Sequence, residues 1–223
     1  MGKLIVLDGL DGSGKQTQAD LLWTHFEQHA ISAKRLSFPT YTKSSALIEM
    51  YLGGSLGSLA EVNVYAASTF YAVDRYASFV QEWGANYHNG GVVLADRYVT
   101  SNIIHQMGKL DPDEWQTYMT WLEDLEYLRF GLPKPTVVLY LDIPVALAVE
   151  LLLRRSADRG LQPDLHESNF QYLHQCRQTA LFAAEHCGWT TINCAPHGVL
   201  RSVEDISGEL IATVHGYLGD EPS

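Results

Sequence analysis

The feature that most constrains the fold is the stretch Gly-Leu-Asp-Gly-Ser-Gly-Lys-Gln-Thr at residues 9–17, directly after the apolar run of residues 4–7. Its three glycines can turn successive backbone N–H groups toward one point, and they carry no Cβ that would block a polyphosphate. A helix that begins at Lys15 would direct its unpaired N–H groups and the positive end of its dipole toward the same anion. The stretch therefore predicts a buried strand, a phosphate-binding loop and a helix, in that order.

The spacing of this loop matches the Walker A pattern as far as its lysine, Gly9-x4-Gly14-Lys15, and the required strand and helix flank it. The next position departs from the pattern, because Gln16 replaces the Ser or Thr whose hydroxyl normally reaches Mg²⁺, and the nearest hydroxyl follows at Thr17. The alternative is a glycine-rich turn that only joins a strand to a helix, but such a turn does not need a lysine at this offset. We therefore interpret the loop as a nucleotide-binding site.

The charge of the chain argues against a general nucleic-acid binder. Its 223 residues include 15 lysines and arginines against 26 acidic residues, a net charge of −11, whereas a phosphate backbone is bound by a broad basic surface. A phosphate ligand must therefore be met by a few local cations. Those that stand out are Lys15, Arg75, Arg97, Arg154, Arg155 and Arg159. The length suits a single domain over residues 1–223.

Cysteine use and hydropathy predict a soluble, cytoplasmic protein. Three cysteines without CxxC spacing indicate neither a disulfide framework nor a zinc site, and they fit a reducing compartment. No apolar run approaches the roughly 18 to 20 residues that a membrane helix needs, and no signal peptide precedes Leu4. We expect no association with a membrane.

Short apolar runs typical of strands alternate with helical patterns along the chain, which predicts a parallel sheet with helices on both faces. The predicted strands cover residues 4–7, 35–38, 92–95, 137–141 and 190–194, of which 35–38 is the weakest. The predicted helices cover about 15–29, 44–52, 61–86, 98–107, 113–129, 144–155, 167–187 and 201–217. The expected fold is α/β, a doubly wound three-layer sandwich with a five-stranded parallel sheet.

Asp96 and Arg97 follow the predicted strand 92–95, at the edge of the sheet where ligands of such folds bind. Removing a carboxylate or a guanidinium from water is costly unless each has a partner, and a phosphate with its magnesium ion would partner both. In P-loop enzymes an aspartate here commonly holds Mg²⁺, while an arginine neutralises the transferred group. The alternative is a local ion pair at a helix start.

Tyr71 and Arg75 stand four residues apart on the long predicted helix 61–86 and therefore share a face. The tyrosine ring would stack on a base while the guanidinium binds a phosphate. The alternative is that the aromatic residues of this helix are ordinary core. Four others lie on it: Tyr65, Phe70, Tyr76 and Phe79. Spacing alone does not separate the two interpretations.

The helix that follows Asp96 carries four polar side chains in two i, i+4 pairs, and their amide and hydroxyl groups are able to read the edge of a base. These side chains are Ser101, Asn102, His105 and Gln106. Polar helix faces are more often simply solvated, so this prediction depends on the motifs that surround it.

The arginine-rich stretch Arg-Arg-Ser-Ala-Asp-Arg-Gly at residues 154–160 follows an apolar helix and precedes a Gln-Pro-Asp loop. It would form a basic lid, about residues 154–165, whose closure excludes water and brings an arginine to the charge that develops in phosphoryl transfer. The alternative is a solvated helix C-terminus at which the arginines offset the helix dipole.

Together these residues resemble the thymidylate kinase family of nucleoside monophosphate kinases, from about Lys3 to the C-terminal helix. The matching motifs are the loop at 8–15, Phe38-Pro39, Asp74-Arg75, Asp96-Arg97-Tyr98 with Ser101 and Gln106, and the arginine-rich stretch followed by Asp-x-x-Glu at 164–167. The resemblance implies a P-loop NTPase-type fold with a short lid, ATP- and Mg²⁺-dependent phosphorylation of dTMP to dTDP, and a homodimer.

The resemblance also implies the residues of the site. The ATP phosphates bind to the loop members Gly9, Asp11, Gly12, Ser13, Gly14, Lys15, Gln16 and Thr17. The acceptor nucleotide binds to Asp11, Phe38, Tyr71, Arg75, Arg97, Ser101, Asn102, His105 and Gln106. The metal residues are Asp96 and Thr17, and the catalytic residues are Lys15, Arg97, Arg155 and Asp11. Arg155 is chosen because the loop has no arginine between Asp11 and Lys15; Arg154 and Arg159 are the alternatives.

Several positions depart from the family pattern and leave the acceptor open. Besides Gln16, Tyr41 occupies the place of a frequent phosphate-binding arginine, with Lys43 as the substitute cation. His105 replaces a tyrosine and Leu165 an arginine. We expect dTMP as the acceptor. The alternatives are a kinase for another deoxynucleotide or a deoxynucleoside, and a nucleotide-binding module without efficient transfer.

Overall fold

The computed structural model of the chain describes residues 1–159 and 170–219. Five strands form one parallel sheet in the order β2-β3-β1-β4-β5. The strands are β1 (Lys3–Gly9), β2 (Ala33–Ser37), β3 (Val92–Asp96), β4 (Val137–Asp142) and β5 (Thr190–Asn193). Helices surround the sheet, which confirms the predicted α/β class. The weakest predicted strand, 35–38, is present as β2, although it begins two residues earlier and ends at Ser37.

The helices of the described residues are α1 (Lys15–Gln28), α2 (Ala46–Leu52), α3 (Val64–Ser78), α4 (Gly84–His88), α5 (Val99–His105), α6 (Trp115–Glu123), α7 (Val145–Arg159), α8 (Phe170–Cys187) and α9 (Val203–Leu218). A π-helical turn at Phe79–Trp83 joins α3 to α4, and another at Asp124–Arg129 extends α6. Within residues 1–159 and 170–219, no helix combines the length and the apolar character needed to cross a bilayer.

Most helix boundaries shift by a few residues from the sequence prediction, and two of the shifts bear on the predicted site. The predicted helix 61–86 begins only at Val64, because the Asn63 side chain caps it by accepting a hydrogen bond from the Tyr65 backbone N–H at 2.8 Å. The second boundary is the end of α7, which extends to Arg159. The first part of the predicted lid is therefore helical. The rest of that lid, residues 160–165, lies outside the described residues.

β1 divides the hydrophobic core because successive side chains point to opposite faces of the sheet. Leu4 and Val6 belong to one apolar cluster, Ile5 and Leu7 to the other, and all four are fully buried. Each contributes roughly 1.5–3 kcal/mol of burial free energy. Asp8 follows these four residues at the carboxyl end of the strand, where Leu7 lies beside Asp96 of β3. That end of the sheet carries the candidate site.

Candidate active site

The loop between β1 and α1 requires glycine at two positions. Gly12 has a φ of +85°, and a Cβ there would lie 2.3 Å from the carbonyl oxygen of Ala148. Gly14 has a φ of +82° and is the N-cap of α1, which begins at Lys15 as predicted. Residues with a side chain rarely adopt such left-handed conformations. The glycine spacing seen in the sequence thus has a backbone cause.

Lys15 lies against its own loop. Its Nζ donates a hydrogen bond to the Leu10 carbonyl oxygen at 2.6 Å and stands 3.6 Å from Asp11 Oδ1. Burial, followed by the nearby charge of Arg97, lowers the pKa of the lysine. An ammonium group that has lost most of its hydration favours a strongly anionic partner such as a phosphate.

Arg97 and Asp11 form an ion pair between the end of β3 and the phosphate loop. Arg97 has a φ of +67°, rare for a residue with a side chain, and its backbone N–H donates to the Leu7 carbonyl oxygen at 3.0 Å. Burial alone would raise the pKa of Asp11, but the charges of Arg97 and Lys15 hold it well below its usual range. One carboxylate therefore separates two cations where phosphates are expected.

Two aspartates at the ends of β1 and β3 differ in their bonding. Asp8 Oδ2 accepts hydrogen bonds from Thr100 Oγ1 at 2.6 Å and Ser101 Oγ at 2.7 Å. Asp96 is different, because its buried Oδ1 has no hydrogen-bond partner among the described residues, and burial raises the pKa of this carboxyl. A buried oxygen without a partner is costly. It suits Mg²⁺, which proteins usually bind through one or two carboxylates together with substrate phosphates.

Two residues that follow Lys15 face solvent. Gln16 and Thr17 lie exposed in the first turn of α1, and Gln16 Oε1 accepts a hydrogen bond from the Arg155 guanidinium at 3.2 Å. Nowhere in the described part of the chain do three or more His, Cys, Asp or Glu side chains cluster in a way suited to a metal. Asp96 is thus the better supported of the two predicted metal residues.

A cavity opens beside the phosphate loop, and all nine side chains predicted to bind the acceptor line it. They are Asp11, Phe38, Tyr71, Arg75, Arg97, Ser101, Asn102, His105 and Gln106. Five further lining residues were not predicted as acceptor ligands: Pro39, Tyr41, Leu52, Tyr98 and Tyr172. Residues from the phosphate loop to α8 thus meet in one place.

Tyr71 and Arg75 form part of one wall of this cavity, as their spacing on α3 predicts. The Tyr71 ring stands at 89° to that of Tyr51, with centroids 6.4 Å apart, and burial raises its pKa, so the phenol stays neutral. Arg75 is almost fully buried and makes a two-point ion pair with Glu126, from Nε to Oε2 at 2.7 Å and from Nη2 to Oε1 at 2.6 Å. Its Nη1 donates to the Tyr98 carbonyl oxygen at 3.3 Å.

Glu126 is a residue that the sequence analysis missed. It is fully buried in the π-helical turn after α6. The available signal was its position, because Tyr118 and Leu122, eight and four residues earlier, are also buried. A carboxylate on such an apolar stripe requires a buried cation as its partner. Arg75 is that cation.

His105 links Arg97 to α8. An Arg97 Nη1 lies 2.9 Å from His105 Nε2, and a guanidinium can only donate, so this ring nitrogen accepts and the proton is assigned to Nδ1. Nδ1 faces the hydroxyl of Tyr172 at 3.2 Å. The predicted acceptor residue therefore also orients the arginine, and Tyr172 is a second residue that the sequence analysis missed.

Two polar residues of α5 have their hydrogen-bonding groups partly engaged. The Ser101 hydroxyl donates to Asp8, as described above, so toward the cavity it can only accept. Asn102 Nδ2 donates to the Ser68 carbonyl oxygen at 3.2 Å and lies 3.5 Å from Glu126 Oε1. These contacts fix the wall of the cavity before any ligand enters.

The arginines at the end of α7 differ in their contacts. Arg155 reaches the phosphate loop through Gln16, whereas Arg154 pairs with Glu150 one turn back on the same helix at 2.5 Å. The side chain of Arg159, and both ends of the Asp-x-x-Glu motif at 164–167, lie outside the described residues.

Comparison with known proteins gives consistent matches. A family model described as thymidylate kinase matches residues 7–206. The thymidylate kinase of Mycobacterium tuberculosis strain H37Rv is 35% identical over 159 residues, which are 70% of this chain and 71% of that protein. A probable thymidylate kinase of Thermococcus kodakarensis is 30% identical over 222 residues, 97% of this chain and 99% of that protein.

Proposed function

The chain belongs to the thymidylate kinase family, and we propose that it transfers the γ-phosphoryl group of ATP to the 5′-phosphate of dTMP, releasing dTDP and ADP. It is therefore a nucleoside monophosphate kinase. The observation that carries the proposal is that nine side chains, selected from the sequence as acceptor ligands, line one cavity that reaches the phosphate loop through Asp11.

The donor side of the reaction is assigned to the loop of residues 9–17. Its backbone N–H groups, the N-terminus of α1 and Lys15 would bind the ATP phosphates. Asp96, helped by Thr17 or by a water, would hold Mg²⁺, and the unpartnered Oδ1 supports this assignment. When bound, the ion would offset negative charge on the donor phosphates.

The acceptor phosphate supplies the nucleophile. One of its oxygens bonds to the γ-phosphorus as the bond to the β–γ bridging oxygen breaks, and ADP leaves with that electron pair. This oxygen is already anionic at neutral pH, so no covalent enzyme intermediate is needed. Lys15 and Arg97 contribute by positioning the groups and by neutralising charge. The Arg97–His105 contact supports this role because it fixes the guanidinium in place.

The acceptor nucleotide would lie along the cavity wall. Tyr71 would stack on the base, with Asn102 and Gln106 near its polar edge. Arg75 and Arg97 would bind the 5′-phosphate, and Asp11 would meet the 3′-hydroxyl. The firm anchoring of Arg75 by Glu126 supports a site formed in advance of binding.

Arg155 is the proposed lid arginine. Its contact with Gln16 brings a guanidinium to the phosphate loop, whereas the neighbouring Arg154 is engaged with Glu150. Gln16 then has a use of its own: it holds the arginine instead of supplying a metal-binding hydroxyl.

Two further properties are part of the proposal. Exposed apolar side chains on α3 and the turn after it, Val73, Tyr76 and Val80, would pack against a second copy in a homodimer. Three free cysteines would suit the reducing cytoplasm.

A second candidate is the same chemistry on a different acceptor. Tyr41 lines the cavity where the family often has an arginine, and the residue is 65% exposed. His105, where the family often has a tyrosine, is tied to Arg97. Both residues lie where they would contact the acceptor, so they are the ones that could change its identity.

The test is ADP formation in a coupled assay with ATP and Mg²⁺, comparing dTMP with dUMP, UMP, dCMP, dGMP, dAMP and thymidine. The proposal expects a kcat/KM for dTMP well above the others. Faster turnover of another acceptor would favour the second candidate. ATP binding without turnover of any acceptor would favour a nucleotide-binding module.

A further inference from the structure

Lys109 lies behind the acceptor cavity, in the short 3-10 turn Met107–Lys109 that follows α5. Its ammonium group is within hydrogen-bond distance of three oxygens: the Tyr51 hydroxyl at 2.5 Å, the Gln106 Oε1 at 3.0 Å and the Leu59 carbonyl oxygen at 3.0 Å. An ammonium has three N–H donors and no acceptor. Every donor of Lys109 is therefore matched by one oxygen.

These contacts determine which way the Gln106 amide points. A cation that can only donate must face the amide oxygen rather than the amide nitrogen. The Tyr51 hydroxyl, which accepts from Lys109, in turn donates to the same Oε1 at 3.4 Å. The amide oxygen is thus held from two sides, and the assignment of O and N at Gln106 follows from chemistry.

The amide nitrogen of Gln106 is left for the cavity. Gln106 is 3% exposed and lines the cavity, and its Nε2 donates to no acceptor within residues 1–159 and 170–219. A nearly buried N–H donor without a protein partner favours a ligand that brings an acceptor.

Lys109 is charged when it makes these contacts. Burial lowers its pKa to about 8, so the ammonium form still predominates at pH 7. Two titratable side chains face it. The Tyr51 phenol has a pKa that burial raises, and burial raises the pKa of the Cys176 thiol to about 12. The Tyr51 phenol and the Cys176 thiol are therefore both neutral at pH 7, so neither is an anion that would draw the Lys109 ammonium away from Gln106.

We propose that Lys109 is a positioning residue for base selection: it locks the Gln106 amide with its NH₂ group toward the acceptor, so that a base with a carbonyl at that edge is preferred to one with an amino group. This inference rests on the proposed function. Thymine and cytosine differ in this way at the 4-position, where thymine accepts a hydrogen bond and cytosine donates one.

The contacts of Lys109 also support the side chain that is proposed to stack on the base, Tyr71. Tyr51, whose hydroxyl accepts a hydrogen bond from Lys109, stands perpendicular to the ring of Tyr71. Lys109 also reaches the loop after α2 through Leu59. Lys109 thus contacts both Gln106, which is proposed to read the base edge, and Tyr51, which packs against the proposed stacking residue Tyr71.

The experiment measures equilibrium binding of dTMP and dCMP by calorimetry to the wild-type protein, Lys109→Met and Lys109→Arg. The methionine keeps an apolar stem but removes the donors, so the amide can turn and offer its oxygen to a base amino group. We expect the preference for dTMP over dCMP to fall about tenfold, the size of one net hydrogen bond, in Lys109→Met and to be largely kept in Lys109→Arg.

Two further variants separate positioning from simple support. In a Gln106→Leu background the Lys109→Met change should leave the dTMP/dCMP ratio unaltered, because the group on which it acts is gone. Tyr51→Phe, which removes only one donor to Oε1, should reduce the ratio less and in the same direction, and it serves if Lys109→Met does not fold. An unchanged ratio in both single variants, even with weaker binding of both nucleotides, would overturn the proposal.

Separate turnover assays distinguish this inference from the proposed reaction. If dTMP binds selectively in a way that depends on Lys109 but no dTDP forms, the proposed reaction is refuted and the positioning role of Lys109 is supported. If dTDP forms but the dTMP/dCMP binding ratio does not depend on Lys109, the reaction is supported and the positioning role is refuted. A wild-type protein that binds dCMP as tightly as dTMP would also refute the positioning role.

Discussion

The guanidinium of Arg75 and the carboxylate of Glu126 form a two-point ion pair, with N–O distances of 2.7 and 2.6 Å and both side chains almost fully buried. The residues are 51 positions apart in the sequence. Because the pair is buried, each charge depends on the other, and the proposed acceptor arginine has one fixed orientation.

Glu126→Gln should therefore destabilise the fold by about 3–5 kcal/mol, because it leaves a buried guanidinium without its counter-charge. It should also raise the KM for dTMP more than it lowers kcat. Glu123→Gln is the matched control, since Glu123 pairs with Lys134 at the surface and such pairs contribute at most about 1 kcal/mol. Chemical denaturation measures both variants. Equal, small losses would contradict the role given to Glu126.

Lys15→Met should reduce kcat by at least roughly 10²- to 10³-fold, the usual effect of removing one charge-stabilising donor. The fold should be retained, because burial already disfavours the charged form of this lysine. Steady-state kinetics and a thermal melt measure the two effects, with the exposed Lys134→Met as control. A wild-type kcat in the Lys15→Met variant would contradict the role proposed for Lys15 and the phosphate loop in phosphoryl transfer.

Arg155→Met should lower kcat by a similar factor of roughly 10²- to 10³-fold, whereas Arg154→Met should change it little. The two arginines are neighbours on α7, but only Arg155 contacts the phosphate loop, through Gln16. Comparing kcat at saturating ATP and dTMP separates them. The opposite ranking would move the catalytic role to Arg154; no effect in either would point to an arginine elsewhere in the lid.

The Asp11 ion pairs should make stability depend on pH in the acid range. The pKa of Asp11 is lower in the folded state than its ordinary value of 3.8, so the unfolded state binds the extra proton first. The contribution of Asp11 is therefore present above about pH 4 and is lost as the pH falls further. Urea denaturation at pH 7 and pH 3 should show that Asp11→Asn costs more stability at pH 7. The same loss of unfolding free energy at both pH values would contradict the stabilising role of the Asp11 ion pairs. Asp113→Asn, at the surface, is the control.

The sequence predicted those parts of the site that are encoded by neighbouring residues. Gly12 and Gly14 are needed for a loop conformation that their own backbone angles define, and Tyr71 with Arg75 follow from helical spacing. Glu126 was not predicted as a site residue because it acts through Arg75, which lies on a different helix. Lys109 was not predicted because Tyr51 and Leu59, which help to hold it beside Gln106, are distant in the sequence. Nothing in a local pattern distinguishes such a charge from a solvated one.

The limits of helices were predicted less well than their presence. Helix α3 begins three residues later than the hydrophobic pattern indicates, because one side-chain cap at Asn63 decides where it starts. Helix α7 instead ends later than predicted, at Arg159. The reason is that an arginine-rich stretch is as compatible with a helix end as with a loop. Hydrophobic periodicity does not contain this information.

The most direct measurement follows the label from [γ-³²P]ATP in a reaction with dTMP and Mg²⁺, with the products separated by anion-exchange chromatography. We expect the label to appear in dTDP, with one dTDP formed for each ADP, and Lys15→Met to abolish its transfer. Label found only in inorganic phosphate, or dTMP recovered unchanged while another nucleotide is phosphorylated, would contradict the proposed reaction.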